Sequence, residues 1–357
     1  MRDYAWSLRK RFQGEILAVP GRAIAFFFLL SLFFVPLITS NSYILGIFIF
    51  VNIFAIYAAS WDFLSGFTGQ VNLGHAVFFG VSAYTAALLN LKLGLPPVAT
   101  IPIGALVAVL TGLIVGIPAL RLRGHYLALV TLAFPIMFTG IVLAFPNITG
   151  GELGLSGLSP LSDSRVVTYY IALTVMIASA LIMWKLTDAK STFVRTGLIL
   201  HAIREDEITA RSSGINTTKY KLFAFCVSGF FAGIAGGLSA HFQQLAGVDN
   251  LSLLFSFQPI IWTIFGGIAT IYGPITGVYI LYPFMQFLGG VIPQLRNLIF
   301  ALIVIVVLLF MPEGLTRWFR DKIEVECPRC KLTNAATRQY CRACHAPLHL
   351  EQRLEQS

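Results

Sequence analysis

The chain has 357 residues, of which 57% are hydrophobic and 11% are charged, whereas soluble domains average about 45–50% and about 25%. A soluble protein of this length could not cover its surface with so few charges, so the composition indicates an integral membrane protein. The net charge is +9. The Lys and Arg residues lie in short connections between apolar runs, without a basic stripe interleaved with aromatics, which argues against nucleic-acid binding.

Ten apolar runs are candidate membrane spans, because a bilayer core about 30 Å thick requires about 20 helical residues. They cover residues 23–39, 43–61, 76–91, 98–118, 126–145, 168–184, 222–242, 253–268, 275–288 and 298–311. The first run follows basic residues, as a signal peptide would, but no small-residue cleavage site follows it, so we predict an uncleaved helix. The predicted fold class is all-α, a polytopic transmembrane helix bundle of about ten spans with broken helices.

The distribution of Lys and Arg predicts the orientation of this bundle. With a cytoplasmic N-terminus and ten alternating spans, 22 of the 25 basic residues face the cytoplasm, and Lys92, Arg165 and Arg296 face outwards. Cytoplasmic loops carry such an excess of Lys and Arg. We therefore expect both termini in the cytoplasm.

The spans are poor in acidic residues. Nearly every Asp and Glu lies in a tail or a loop, and Asp62 alone lies close to the hydrocarbon edge. Ion-coupled carriers usually require ionisable groups inside the membrane. The sequence also has no G-x-x-x-x-G-K-[ST] loop for nucleotide phosphates and no catalytic constellation in the spans. These features favour a transport subunit powered by another protein over the alternative, a self-powered secondary transporter of a small polar solute.

Residues 65–75, between the second and third runs, combine three glycines with polar side chains at membrane depth. Irregular backbone there is tolerated where protein or a water-filled cavity satisfies its polar groups, and discontinuous helices often form translocation sites. The residues leave two interpretations open, a lining of the translocation pathway or a tightly packed polar turn. The candidate pathway residues are Gly69, Gln70, Asn72, Gly74 and His75.

The longest internal connection, residues 187–221, is predicted to contain an amphipathic helix over residues 198–211. Ile199, Ala202, Ile203, Ala210 and Gly214 cluster towards one face, and Gly214 is also placed to end the helix. Outside lipid, such a helix needs a surface to dock against. Its basic flanks would equally permit it to lie on the membrane interface, and composition does not separate the two.

Two rows of small residues at four-residue spacing predict close helix packing within the chain, with a dimer face as the alternative. The rows are Gly104, Ala108, Gly112 and Gly116 in the fourth span, and Gly229, Gly233 and Gly237 in the seventh. Further along, residues 265–274 interrupt another apolar stretch. Because Gly273-Pro274 cannot continue a regular helix without a break, we predict a second broken helix there.

The C-terminal tail contains a C-x2-C-x10-C-x2-C array formed by Cys327, Cys330, Cys341 and Cys344. Four thiolates in two such pairs suit tetrahedral Zn²⁺, and a cytoplasmic location disfavours disulfides. We expect structural zinc rather than redox chemistry, with His345 and His349 as alternative ligands. The segment resembles small zinc ribbons, and a domain of this size should be unfolded without its metal.

Four segments in order resemble a single protein family. They are GFTGQVNLGHAVFFG from Gly66, RLRGHYLALVTLAF from Arg121, AIREDEITARSSGIN from Ala202 and FGGIATIYGPITG from Phe265. The family is the inner-membrane permease subunit of branched-chain amino-acid ABC transporters, whose relatives also carry urea and other small polar solutes. The resemblance covers about residues 20–318, and the cysteine tail beyond it is a departure from ordinary members.

The resemblance implies a multi-pass protein of a bacterial or archaeal inner membrane, which forms the translocation pathway of an ATP-driven importer. Its implied partners are a second homologous permease, cytoplasmic ATPase subunits and an extracytoplasmic substrate-binding protein. The family's coupling element matches Glu207, Ala210 and Gly214, with Arg204 on the same helix, so residues 187–221 would be the coupling loop that docks on the ATPase. The outer loop 147–167 would receive the binding protein.

The predicted organisation is therefore a cytoplasmic N-terminal tail at residues 1–22, a transmembrane permease domain at 23–318 and a cytoplasmic zinc-ribbon tail at 319–357. No nucleotide is expected on this chain. Branched-chain amino acids are the expected substrate class, although the resemblance does not separate them from urea or another small polar solute.

Overall fold

The structure is a computed structural model of the chain, and it describes residues 20–39, 41–122, 124–188, 195–311, 314–330 and 333–348. These residues fall into two compact units. The larger lies within Ser40–Gly314, and the smaller combines the first helix with the C-terminal tail.

The described residues form mostly α-helices. In chain order these are α1 (Pro20–Ile38), α2 (Ser42–Thr68), α3 (Ala76–Leu93), α4 (Pro97–Ala119), α5 (His125–Ala144), α6 (Pro146–Thr149), α7 (Arg165–Thr187), α8 (Thr196–Glu205), α9 (Glu207–Ser212), α10 (Thr217–Gln243), α11 (Leu253–Gly266), α12 (Tyr272–Val291), α13 (Arg296–Phe310) and α14 (Leu315–Ile323). Each of the ten apolar runs coincides with one of these helices. The all-α prediction is therefore confirmed.

Six of the described helices are long and apolar enough to cross a bilayer, namely α2, α3, α4, α5, α7 and α10. The segment Phe27–Ile38 of α1 and the whole of α11 are apolar but shorter. An α-helix rises about 1.5 Å per residue, so the 27 residues of α2 reach about 40 Å. This length exceeds the bilayer core.

Helix ends follow local sequence signals. At the start of α2, the Asn41 side chain accepts a hydrogen bond from the backbone N–H of Tyr43, as N-cap residues do. α2 and α3 end at Gly69 and Gly94, whose φ angles of 70° and 64° are left-handed, a conformation that glycine adopts without a Cβ penalty. α4 begins with Pro97, where a missing N–H loses no helical bond.

α2 is the central helix of the larger unit. Every residue from 51 to 68 is buried, and the helix contacts α7, α10, α11 and α12. The sequence predicted this span to end at Trp61, but the helix continues to Thr68. Two of its hydroxyl groups are satisfied within the helix, since Ser60 Oγ donates to the Tyr57 carbonyl at 2.7 Å and Thr68 Oγ1 to the Leu64 carbonyl at 2.6 Å.

α4 and α10 cross along the two rows of small residues. A Cβ added to Gly229 would lie 3.0 Å from the carbonyl oxygen of Ala108, and one added to Gly233 would lie 2.8 Å from Ala105 Cα. Gly112 faces the backbone of α10 at 3.1 Å. The backbones therefore touch directly, as small-xxx-small rows allow, and the prediction of packing within the chain is confirmed. We call this contact the glycine seam.

The smaller unit contains α1, α14 and a two-stranded antiparallel sheet. Strand β3 (Glu324–Glu326) pairs with β4 (Thr333–Ala335), with Val325 opposite Asn334. In α14 the ammonium of Lys322 lies 3.7 Å from the centre of the Trp318 ring, a cation–π contact. The sheet brings the two predicted cysteine pairs of the tail together.

Candidate functional site

The first helix break runs from Gly69 to His75, between α2 and α3, as the sequence predicted. It is held against α2 by side chains on that helix. Trp61 Nε1 donates to the Asn72 carbonyl at 2.7 Å, and Ser65 Oγ accepts from the Asn72 N–H at 3.2 Å. His75 Nε2 lies 2.9 Å from Ser60 Oγ. Non-helical backbone at membrane depth is thus satisfied by protein groups, which is the condition for its stability.

Two further helices complete this packing. Thr131 Oγ1 on α5 accepts from the Leu73 N–H at 3.0 Å, and Ser256 Oγ on α11 accepts from the Ala76 N–H at 3.1 Å. A Cβ on Gly74 would lie 2.0 Å from the carbonyl oxygen of Thr131, so only glycine allows this approach. The break therefore connects α2, α3, α5 and α11.

The candidate pathway residues of this break are mostly enclosed. Gln70, Asn72, Gly74 and His75 are buried, and Gly69 is exposed. The Oε1 atom of buried Gln70 has no hydrogen-bond partner within the described residues. Buried polar atoms normally have partners, so this oxygen is available to accept a bond from a molecule entering the break.

The second break lies between α11 and α12, at residues 267–271. The interruption was predicted, but Gly273-Pro274 lies just after it, in the first turn of α12, where proline is tolerated. The buried carboxylate of Asp62 on α2 accepts from the backbone N–H groups of Ala269 at 2.7 Å and Thr270 at 3.0 Å. Asp62 therefore ties the second break to the same helix that carries the first.

The amphipathic helix predicted in residues 187–221, which we call the coupling loop after its predicted role, is two helices. α8 ends at Glu205 and α9 begins at Glu207, because Asp206 interrupts the helix with extended backbone and caps α9. Its carboxylate accepts from the N–H groups of Ile208 at 2.8 Å and Thr209 at 3.1 Å. These bonds hold the pKa of Asp206 below its usual value. Gly214 follows the C-cap with a φ of 82°, as predicted.

Glu207 joins α9 to the start of α10. Its carboxylate accepts from Lys221 Nζ at 2.6 Å, Arg211 at 3.0 Å and Thr217 Oγ1 at 3.2 Å. Partial burial raises the pKa of Glu207, but the bond and charge of Lys221, with help from Thr217 and Arg211, bring it below the usual value. The sequence singled out Glu207 but missed Lys221, because a spacing of 14 residues carries no periodic signal.

The coupling loop contacts α2 at the start of the first break. A Cβ on Gly69 would lie 3.8 Å from Arg204 Cγ, and the ring of Phe67 lies edge-on to His201 at 5.4 Å between centroids. At the other end of α8, Thr196 Oγ1 donates to the Leu186 carbonyl of α7 at 2.9 Å. The structure thus brings together Arg204 and Gly69, which the sequence assigned to different sites.

The apolar face predicted for the coupling loop faces the bundle. Ile203 and Ala210 are buried, together with Leu200, which the sequence interpretation did not include. Leu198 and Ile208 are exposed, at 57% and 71% of their full area. The loop therefore packs on its own chain with one face and presents isolated apolar side chains on another.

The loop at residues 147–167 has a defined conformation, held by a strand pairing and by glycines. Strand β1 (Leu155–Ser156) pairs antiparallel with β2 (Leu245–Ala246), which follows α10. Gly150, Gly151 and Gly154 all have left-handed φ values of 76°, 59° and 70°, and Leu153 between them is 89% exposed. The loop therefore combines a strand pairing with three glycine conformations and presents an exposed apolar side chain, Leu153.

The four tail cysteines form one cluster. All four Sγ atoms lie within 4.8 Å of one another, with Cys327–Cys344 at 3.4 Å and Cys330–Cys341 at 3.5 Å. Ligands at 2.3 Å in a tetrahedron would be roughly 3.8 Å apart, so the cluster fits a metal ion. Backbone N–H groups of Cys344 and Ala343 donate to Cys341 and lower the pKa of its thiol to about 6, which favours the thiolate that binds metals.

Residues 43–309 match the protein family described as branched-chain amino acid transport system, permease component. The chain belongs to this family. The match covers the larger unit, with both helix breaks and the coupling loop. The chain is therefore a transport permease component rather than an enzyme, and ATP hydrolysis belongs to separate subunits.

Curated relatives of this permease agree with the family. The high-affinity branched-chain amino acid transport system permease protein LivM of Escherichia coli is 28% identical over 80% of this chain and 71% of its own length. LivM of Salmonella typhimurium is 27% identical over 78% and 71%. A probable branched-chain amino acid transport permease protein LivH of Methanocaldococcus jannaschii is 23% identical over 76% and 90%. No solved structure matches the chain. The permease is a multi-pass inner-membrane protein.

Proposed function

We propose that this permease is the pathway-forming subunit of an ATP-driven importer of branched-chain amino acids. The contact between Arg204 of the coupling loop and Gly69 at the first helix break carries the proposal. This contact connects the coupling loop, which would be moved by the ATPase, to the first helix break, which would open. The names of the LivM and LivH relatives, which are branched-chain amino acid transport permeases, support the substrate class.

The coupling loop is suited to transmit a push as a rigid body. The Glu207 bonds fix α9 to α10, and Asp206, which directly follows α8, caps the first turn of α9. An ATPase that contacts exposed Leu198 and Ile208 would move both helices together. Because α8 lies against the end of α2 and is bonded to α7, this movement would be felt where the first break begins.

Opening of the first break would provide the pathway. Gly69, Gln70, Asn72, Gly74 and His75 connect α2 to α3 with no helical hydrogen bonds to break, and the unbonded Gln70 oxygen gives a passing solute a hydrogen-bond acceptor. Asp62 would move the second break with the first, since it accepts two backbone bonds from that segment. Irregular helices at a midplane site are a common transporter design.

The remaining partners follow from orientation. With the coupling loop and both termini in the cytoplasm, loop 147–167 would face outwards. Leu153 and the glycine-containing segment before β1 would then receive a substrate-binding protein. A second homologous permease would complete the pathway.

Zinc is the metal proposed for the tail. Cys327, Cys330, Cys341 and Cys344 would hold it, and it would supply a structural crosslink between the two cysteine pairs. Such a small unit has little core of its own. The bound ion would therefore provide most of its folding free energy.

Reconstitution tests the proposal against a self-powered carrier. The permease is placed in liposomes with its second permease, ATPase and binding protein, and labelled leucine uptake is measured with ATP, without ATP, and with a proton gradient alone. We expect uptake only with ATP. Concentration of leucine without ATP, or by the gradient alone, would overturn the proposal. Uptake of urea but not leucine would overturn the substrate class.

A further inference from the structure

A cavity of about 870 Å³ lies at the ends of α2, α7, α10 and α12. It is far from the coupling loop. α7 begins at the cavity with Arg165 and ends at Thr187 beside that loop, and α10 leads from the loop back to the cavity at Gln243. The 23 residues of α7 rise about 35 Å. We call this space the distal cavity, and with the coupling loop cytoplasmic it opens to the outside.

Aromatic side chains form one wall of the distal cavity. Phe50 lies edge-on to Phe242, with ring centroids 4.9 Å apart, and Tyr282 lies 6.1 Å from Phe50. These residues come from three different helices. The volume falls in the range of about 300–1,000 Å³ that is usual for small-molecule sites, which combine such apolar walls with a few polar groups.

Two opposite charges line the same cavity. Asp163 and Arg165 are both exposed and are separated by one residue at the start of α7, and neither side chain has an ion pair or a hydrogen bond within the described residues. The Arg165 guanidinium lies 5.2 Å from the centre of the Phe242 ring. Stacking on a ring face leaves the N–H groups at the guanidinium edge available, and that edge matches a carboxylate.

We propose that the distal cavity binds a free α-amino acid with an aliphatic side chain as it enters the permease. Arg165 pairs with the carboxylate of the ligand, Asp163 pairs with its ammonium group, and the wall of Phe50, Phe242 and Tyr282 takes the side chain. A zwitterion satisfies both charges, whereas a neutral solute such as urea satisfies neither. This inference rests on the proposed function and adds the location and chemistry of the first binding site on this chain.

Gly46 of α2 offers a way to close the cavity without altering its charges. It lines the distal cavity, and a Cβ at this position would meet no atom within 4 Å. Gly140 of α5 is a matched control, because it is also helical and equally open but does not line the cavity. The first atom of a larger side chain is therefore accommodated at both positions.

The test uses the complete reconstituted importer with saturating leucine-loaded binding protein. Leucine uptake and binding-protein-stimulated ATP hydrolysis are measured for the wild type, Arg165→Gln, Arg165→Lys, Asp163→Asn, Gly46→Leu and Gly140→Leu. We expect Arg165→Gln and Asp163→Asn to lower uptake about tenfold, the effect of one lost charged hydrogen bond. Gly46→Leu should lower uptake to a similar extent by occupying the space of the ligand, and stimulated hydrolysis should stay within about twofold of wild type in all three variants. Arg165→Lys should recover part of the uptake, and Gly140→Leu should match the wild type.

Two results would overturn the inference. Unchanged uptake in both Arg165→Gln and Gly46→Leu would show that leucine does not occupy the cavity. Loss of stimulated hydrolysis in Arg165→Gln, with normal uptake in Gly46→Leu, would show that Arg165 contacts the binding protein instead. A wild-type importer that fails to take up leucine refutes the proposed function itself, so the two failures are distinguishable.

Discussion

Replacing Glu207 by glutamine should uncouple this permease from its ATPase. The change removes the charge that holds Lys221 and Arg211 while keeping a side chain of the same size. The Arg211 pair is exposed and spans i to i+4, so it contributes about 0.3–0.5 kcal/mol. The Lys221 pair is shorter and the Lys221 side chain is only 14% exposed, so we assign this pair roughly 1–1.5 kcal/mol after allowance for solvent screening. The total of about 1–2 kcal/mol corresponds to a five- to thirtyfold fall in the equilibrium constant between the state in which α9 is fixed to α10 and the state in which it is released.

The assay is the number of leucine molecules imported per ATP hydrolysed by the reconstituted importer. We expect this ratio to fall about five- to thirtyfold in Glu207→Gln, while assembly with the ATPase is retained. Glu205→Gln is the matched control, because Glu205 is exposed at the end of α8 and makes no ion pair within the described residues. An unchanged ratio in Glu207→Gln, or an equal fall in Glu205→Gln, would refute the reasoning.

Three other outcomes can be measured separately. Gly236→Ala should lower the free energy of unfolding by about 1–3 kcal/mol, since its Cβ would lie 2.1 Å from the Phe79 carbonyl oxygen; thermal unfolding in detergent should show no loss for Gly140→Ala. Metal analysis should find about one zinc per chain, lost in Cys327→Ser and Cys344→Ser but retained in Cys226→Ser. Because the pKa of Glu207 is below its unfolded value near 4.5, its contribution is present above pH 4.5 and disappears as the pH falls below it; protection of the coupling loop from an acid-tolerant protease should follow this pH dependence in the wild type and not in Glu207→Gln.

Features with a local or periodic cause were predictable from the sequence. Apolar runs gave the helices, glycine spacing gave the seam, and glycine-rich polar segments gave both breaks. The cysteine spacing gave the metal cluster. Each depends on residues close together in the chain, so composition and spacing were sufficient.

Features created by tertiary contact were not predictable. One miss had a local cause. Asp206 caps α9 and divides the predicted helix into two, but the apolar periodicity on both sides of Asp206 indicated a single helix. The pairing of Glu207 with Lys221, the contact of Arg204 with Gly69 and the distal cavity all join residues from separate elements. No spacing in the sequence reports such distances.

The glycine seam restricts how the bundle can move. At Gly229 and Gly233 the backbone of α10 lies against α4 without a side chain of its own between them, so a shift of one helix past the other would bring backbone atoms into collision there. We therefore expect α4 and α10 to move together as one rigid body during transport. Spin labels placed on either side of the seam should keep a constant separation through the whole ATP cycle.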